Sequence, residues 1–162
     1  MSIIDTSCLI YFIKVRELEL LRKLFTKAII TPEVHHEMTR GVEGLSELQK
    51  ALETWISIQQ PQNASSITTL SEAESLSMAD ASIILLAMEK EDFLISNDAA
   101  LIRAAKIKGV ECWRLTSCII EAVKKKIISK KKAQEILYSL ISKGMYLDNR
   151  VYADLLEEIN HL

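Results

Sequence analysis

The chain reads as an α/β protein built on an open parallel sheet, with helices appended at its end. Three observations carry that reading. Short apolar runs alternate with helix-like segments up to about Trp113, the pattern of successive right-handed β–α crossovers. Two of those runs close on an aspartate followed by small or polar residues and then a helical stretch: Ser2-Ile3-Ile4-Asp5-Thr6-Ser7 and Phe93-Leu94-Ile95-Ser96-Asn97-Asp98. Beyond Trp113 the strand-like runs stop and helical texture continues to the end.

The elements come in order along the chain. Strands are expected at Ser2–Ile4, Ala28–Ile30, Trp55–Ile58, Phe93–Ile95 and Val110–Trp113. Ser7–Lys14 and Arg16–Thr26 carry helical patterns, the second with Leu18, Leu21, Leu24 and Phe25 at helical spacing. Thr31-Pro32 is a helix start, Thr as N-cap and Pro at the first turn, running to about Thr39. Gly41 and Gly44 interrupt before Leu45–Thr54. Ser71 or Ser77 can cap the next helix, and Asp80–Glu89 is apolar nearly all round, as a central helix is. Asp98–Lys108 ends at Gly109. Leu115–Ile128, Lys130–Lys143 and Asn149–Ile159 make the tail, with Gly144 ending the second and Asp148 or Asn149 capping the third.

In such a sheet, ligands bind beyond the carboxyl ends of the strands. Asp5 and Asp98 at that edge would repel each other unless a cation lay between them. Glu37 sits about a turn and a half into the helix after Ala28–Ile30, and Asp80 opens the apolar helix that leads to Asp98. Asp80 also suits a helix N-terminus on dipole grounds alone. Four carboxylates without His or Cys form a hard oxygen set, suited to Mg2+ or Mn2+ rather than zinc. Such an ion polarises a phosphate oxygen and activates water.

Here the sequence resembles the PIN-domain nucleases. Ile3-Ile4-Asp5-Thr6-Ser7 is similar to their opening, and Thr31-Pro32-Glu33-Val34 leading to Glu37 to their second acidic helix. Leu76-Ser77-Met78-Ala79-Asp80-Ala81-Ser82-Ile83-Ile84, with Asp98 coming 18 residues after Asp80, resembles the third and fourth acids in neighbourhood and spacing. The resemblance covers about residues 1–115, leaving 116–162 as a helical extension on the same domain. It implies a three-layer sandwich with a five-stranded parallel sheet of order 3-2-1-4-5. It also implies Mg2+- or Mn2+-dependent endoribonuclease activity, with Asp5, Glu37, Asp80 and Asp98 as catalytic metal ligands. Ser7 would assist through its hydroxyl or a water, and Asn97 would contact metal or substrate. Arg103 and Lys106, on the next helix, would meet substrate phosphate. Glu33 is one turn from Glu37 on the same face and competes with it; Glu72 and Glu74 compete with Asp80, which is preferred on its spacing to Asp98. The tail resembles an extension found in some prokaryotic PIN proteins, among them VapC-like toxins. The resemblance implies RNA, an antitoxin protein and a second copy of the chain as partners, and a catalytically silent PIN fold that binds RNA or protein is the alternative.

Bulk properties fit these expectations. The 162 residues suffice for one well-buried domain. A net charge of −2 gives no global pull toward nucleic acid, so contact must come from local patches or bound cations. Cys8, Cys112 and Cys118 form no C-x-x-C pair and read as buried thiols in a reducing cytoplasm. No signal peptide and no membrane-length apolar run appear. A haloacid-dehalogenase-type phosphatase needs a second aspartate where Ser7 stands, and a Rossmann cofactor site needs a Gly-rich turn that is absent. His35 and His36 flank Glu37, but adjacent helical residues point about 100° apart and cannot share one ion with it. The runs Lys124–Lys126 and Lys130–Lys132 read as a solvated face, or as a rim tracking phosphates toward the acids.

Overall fold

Ile3, Ile4, Ala28, Ile29, Ile30, Leu94 and Ile95 are wholly shielded from solvent, and they form the centre of one sheet. The computed structural model describes residues 1–41 and 44–162. Its strands are β1 (Ser2–Ile4), β2 (Ala28–Ile30), β3 (Ile56–Ile58), β4 (Leu94–Ile95) and β5 (Cys112–Trp113). All neighbours pair in parallel, in the order β3-β2-β1-β4-β5. Burial of successive residues on both faces is the signature of a parallel sheet covered on each side by helices. The expected five-stranded sandwich and its strand order are both observed.

The helices are α1 (Thr6–Lys14), α2 (Leu18–Phe25), α3 (Pro32–Arg40), α4 (Leu45–Thr54), α5 (Ser65–Glu74), α6 (Met78–Lys90), α7 (Ala99–Ile107), α8 (Leu115–Lys124), α9 (Lys130–Ser142) and α10 (Asn149–His161). Side-chain caps begin most of them: Asp5, Thr31, Ser77, Asp98, Ser129 and Asp148 each accept a backbone N–H of the first turn. α6 is the central helix, buried at Ala79, Ala81, Ser82, Ile83, Ile84, Leu86 and Ala87. It packs on β1, β4, α3 and α5.

Three differences from expectation have local causes. The Trp55 N–H still bonds the Ala51 carbonyl and closes α4, so β3 starts one residue late. The Val110 N–H likewise bonds Ala105 and closes α7, which shortens β5. α8 stops at Lys124 because Lys126 turns left-handed (φ 57°) while its N–H reaches Val123 and that of Ile127 reaches Ala122, a Schellman ending without glycine. α5 is the helix that periodicity missed. It buries only Ile67 and Leu70 among polar neighbours.

The tail shares the core of the sheet. Ala133, Ile136, Leu137 and Leu140 of α9 join the same apolar cluster as β1 and β4. Lys132 on α9 pairs with Glu17, and Lys130 Nζ donates to the Asn160 carbonyl at 3.0 Å. α10 is looser: Ile159 is its fully buried residue, while Val151 is 46% exposed. Among the described residues no helix is long and apolar enough to cross a membrane.

Candidate active site

The chain leaves β1 toward β2 on one side and later returns to β4 on the other, so the direction of the sheet order switches between β1 and β4. The crevice beyond the strand ends opens at such a switch, and Asp5 and Asp98 both lie there. Ile4 pairs with Ile95, which sets Asp5 beside Ser96. The Asp5 Oδ1 accepts the Cys8 N–H at 2.7 Å, and Oδ2 accepts the hydroxyls of Ser96 at 2.5 Å and Ser7 at 3.0 Å. Ser96 Oγ in turn accepts the Asp98 N–H at 3.0 Å, and Asp98 Oδ1 accepts the Leu101 N–H at 2.8 Å. One buried hydroxyl thus ties the two strand ends together. Sequence reasoning missed Ser96; the signal was a small hydroxyl residue directly after β4, legible only once the register is known.

Glu37 and Asp80 arrive from the helices. Thr31, the cap of α3, is 2.6 Å from Ser82 of α6, and Ser82 donates to the Ala79 carbonyl at 2.6 Å. With that proton spent, the Thr31 hydroxyl is the donor to Ser82, and the buried chain holds α3 against α6. Glu37 is exposed, with Oε2 accepting the Thr6 hydroxyl at 2.6 Å. Asp80 sits in the first turn of α6, half-buried, with its N–H on Ser77 Oγ at 3.0 Å.

The electrostatics tie these four together. Burial pushes the Asp80 carboxyl up to about 6; the Ser77 hydrogen bond opposes this, and the charges of Asp5, Asp98 and Glu37 add to it. Burial also raises Asp5, which is 3% exposed, against the bonds from Ser96, Cys8 and Ser7 that favour its charged form. Among the described residues no cation pairs with any of the four. Nor do any three acids, histidines or cysteines among them already stand close enough to enclose an ion. Glu33 Oε2 is out of solvent and without a hydrogen-bond partner among the described residues, one turn from Glu37 and so about 5–6 Å from it between Cβ atoms. Hard oxygen donors, mutual repulsion and an unpartnered buried carboxylate oxygen fit a divalent cation.

A family model, DUF3368, described as a PIN domain, matches residues 1–161. This chain belongs to the PIN-domain family. Members of that family are generally metal-dependent nucleases. The crystal structure of PAE2754 from Pyrobaculum aerophilum is similar in fold, with a TM-score of 0.53, 16% identity, and 68% of this chain and 89% of that chain covered. No curated protein matches.

Around these four acids, the other expected residues fall in different places. Ser7 is exposed beside Asp5. Asn97 is engaged at both ends: its Oδ1 accepts the Leu115 N–H at 3.0 Å, and its Nδ2 donates to Met145 Sδ at 3.3 Å. It clips the α9–α10 loop and the start of α8 to the site. Arg103 and Lys106 are exposed on α7, and Lys106 stands about 12 Å along the helix from its capping Asp98, where its charge lowers the Cys112 thiol against a larger effect of burial. Glu74 lies 4.0 Å from Lys108 and Glu72 is exposed, whereas Asp80 feels the other acids directly. Of the lysine runs, Lys125 pairs with Glu121, and Lys130 and Lys132 are engaged in holding α9. A hollow of about 710 Å³ between α2 and α4 includes none of Asp5, Glu37, Asp80 and Asp98. A smaller groove of about 430 Å³ does reach Ser7 and Asp98.

Proposed function

We propose that this PIN domain is an endoribonuclease that hydrolyses RNA phosphodiesters with Mg2+ or Mn2+ held by Asp5, Glu37, Asp80 and Asp98. The observation that carries the reading is Asp80, whose proton is retained to about pH 6 by burial and by three neighbouring carboxylates. A bound divalent ion supplies polarisation of the phosphate and activation of the attacking water. The chain supplies the orientation. Asp5 is fixed by three donors and Asp98 by its cap, so both present settled oxygens toward the crevice. Glu37, exposed to solvent, is oriented by the Thr6 hydroxyl. The exposed Ser7 hydroxyl gives its proton to Asp5 and so helps orient that carboxylate, and Arg103 lends positive charge on α7.

A VapC-like toxin role is the finer form of the proposal. α10 leaves Val151 exposed and Tyr152, Leu155 and Leu156 half-buried, an apolar stripe that an antitoxin or a second copy would cover. The rival reading, a silent RNA- or protein-binding PIN fold, draws on the absence of three converged ligands among the described residues.

Incubating a structured RNA mixture with purified protein separates the readings. Cleavage is expected with Mn2+, none with EDTA, and none for Asp98→Asn. Binding without cleavage under every metal tested would favour the silent fold.

A further inference from the structure

Of the four carboxylates Asp98 alone lines the groove that also reaches Ser7, and the groove's other walls have a composition of their own. Between Ser7 and Asp98 at one end and the α9–α10 loop at the other it presents Tyr11, Arg114 and Tyr146. Tyr146 is 88% exposed, although the residues on either side of it are anchored. Met145 is 5% exposed, its N–H bonds the Leu140 carbonyl at 3.0 Å, and its sulfur accepts from Asn97; Leu147 is half-buried. The loop is therefore pinned to the active-site rim with its aromatic ring held outward. Arg114 is exposed at the start of α8 and makes no side-chain cap and no ion pair among the described residues.

We propose that this groove is a subsite for single-stranded RNA, in which Tyr146 stacks on a base next to the scissile phosphate and Arg114 takes a neighbouring phosphate. The proposal rests on the nuclease reading for the identity of that phosphate. Its chemistry is that of single-strand recognition: a π face that accepts any unstacked base, beside a cation that tracks the backbone. A duplex offers no free base face, so the site selects unpaired segments. The acids alone would repel the polyanion, and the Arg114 guanidinium in the groove wall, unpaired among the described residues, offsets that repulsion. Asn97 is then a positioning residue, since it holds the Tyr146 loop through Met145 and the start of α8 through Leu115.

The test measures binding separately from cleavage. A fluorescein-labelled 12-nucleotide single-stranded RNA of mixed sequence is titrated in EDTA and in Ca2+, against wild type, Tyr146→Ala, Tyr146→Trp, Arg114→Ala and an Ile107→Ala control at the exposed end of α7 opposite its Asp98 cap. Tyr146→Ala is expected to weaken binding by roughly tenfold with an unchanged melting temperature, and Tyr146→Trp to restore it. Arg114→Ala should weaken binding and lower the slope of log affinity against log salt by about one. The same variants should differ little toward a blunt duplex RNA. Groove variants that bind as wild type while Asp98-dependent cleavage persists would overturn the subsite and leave the nuclease standing. Loss of binding in the variants of a protein that never cleaves would sustain the subsite and remove the nuclease. A wild type that binds no single-stranded RNA at tens of micromolar would overturn the subsite.

Discussion

Asp80 carries a cost that a metal-free protein has to bear. Its carboxyl titrates near 6 in the fold, against an ordinary value of 3.8, because it is half-buried and faces three other acids. The unfolded chain releases that proton first as pH rises, so between about pH 4 and 6 the native state binds more protons and loses stability with rising pH. Above that window the whole penalty is present. Asp80→Asn removes it, and the apo variant should therefore melt higher than wild type at pH 7.5 and show a flatter profile from pH 4.5 upward. Matching profiles for the two proteins in EDTA would mean that Asp80 is not strained by its neighbours. The residues that create the strain were legible in the sequence as acids at two strand ends, at a helix start and within the helix after β2. Those that organise them were not. Ser96 and Thr6 act on Asp5 and Glu37 through bonds spanning 91 and 31 positions, and such partners emerge only from strand register and helix docking. Asn97 was visible as a site residue, but its clip to Met145 depends on how the tail returns to the sheet.

At the scale of elements, strong local signals located starts better than stops. Thr31-Pro32 and Asp98 marked their helices through a side-chain oxygen placed to accept a first-turn N–H, and of the two caps open for the central helix, Ser71 and Ser77, Ser77 is the one used. Endings at Lys126 and Glu91, both left-handed at φ 57° and 52°, gave no such mark, because backbone bonds from Ile127 to Ala122 and from Asp92 to Ala87 close them without glycine. α5 escaped notice because two buried residues, Ile67 and Leu70, are enough to hold it on α6. Gly44 tests the opposite case, a glycine that is required. It is left-handed at φ 84°, and a Cβ there would run into the Ile13 Cγ2, part of a stiff, 8% exposed side chain. Gly44→Ala should cost about 1–3 kcal/mol, read as a lower urea midpoint. Gly109 is left-handed too, at φ 79°, but open space surrounds its Cβ position; Gly109→Ala should cost only about 1 kcal/mol. Equal losses would show that Ile13 yields freely and that packing between α1 and the start of α4 is slack.

For the whole molecule, the β3-β2-β1-β4-β5 order is what turns separated acids into one site. The switch between β1 and β4 brings Asp5 and Asp98 together, and α3 and α6 deliver Glu37 and Asp80 to the same edge. An ion that joins them binds the native state alone, because no such edge exists in the unfolded chain. Linkage then makes melting temperature a direct readout: at a hundredfold excess over its dissociation constant the ion adds about 2.7 kcal/mol. For a chain of this length that corresponds to a rise of roughly 5–10 °C. Binding also has to displace the Asp80 proton, so the shift should be full at pH 7.5 and shrink at pH 5, below the value near 6 to which Asp80 is raised. Mn2+ is thus expected to raise the melting temperature strongly at neutral pH and weakly in acid, with the effect lost in Asp5→Asn and reversed by EDTA. Stabilisation that persists unchanged at pH 5 would place the ion elsewhere. If neutral pH brings no stabilisation, the four carboxylates do not form a metal centre, and the silent-fold reading takes precedence.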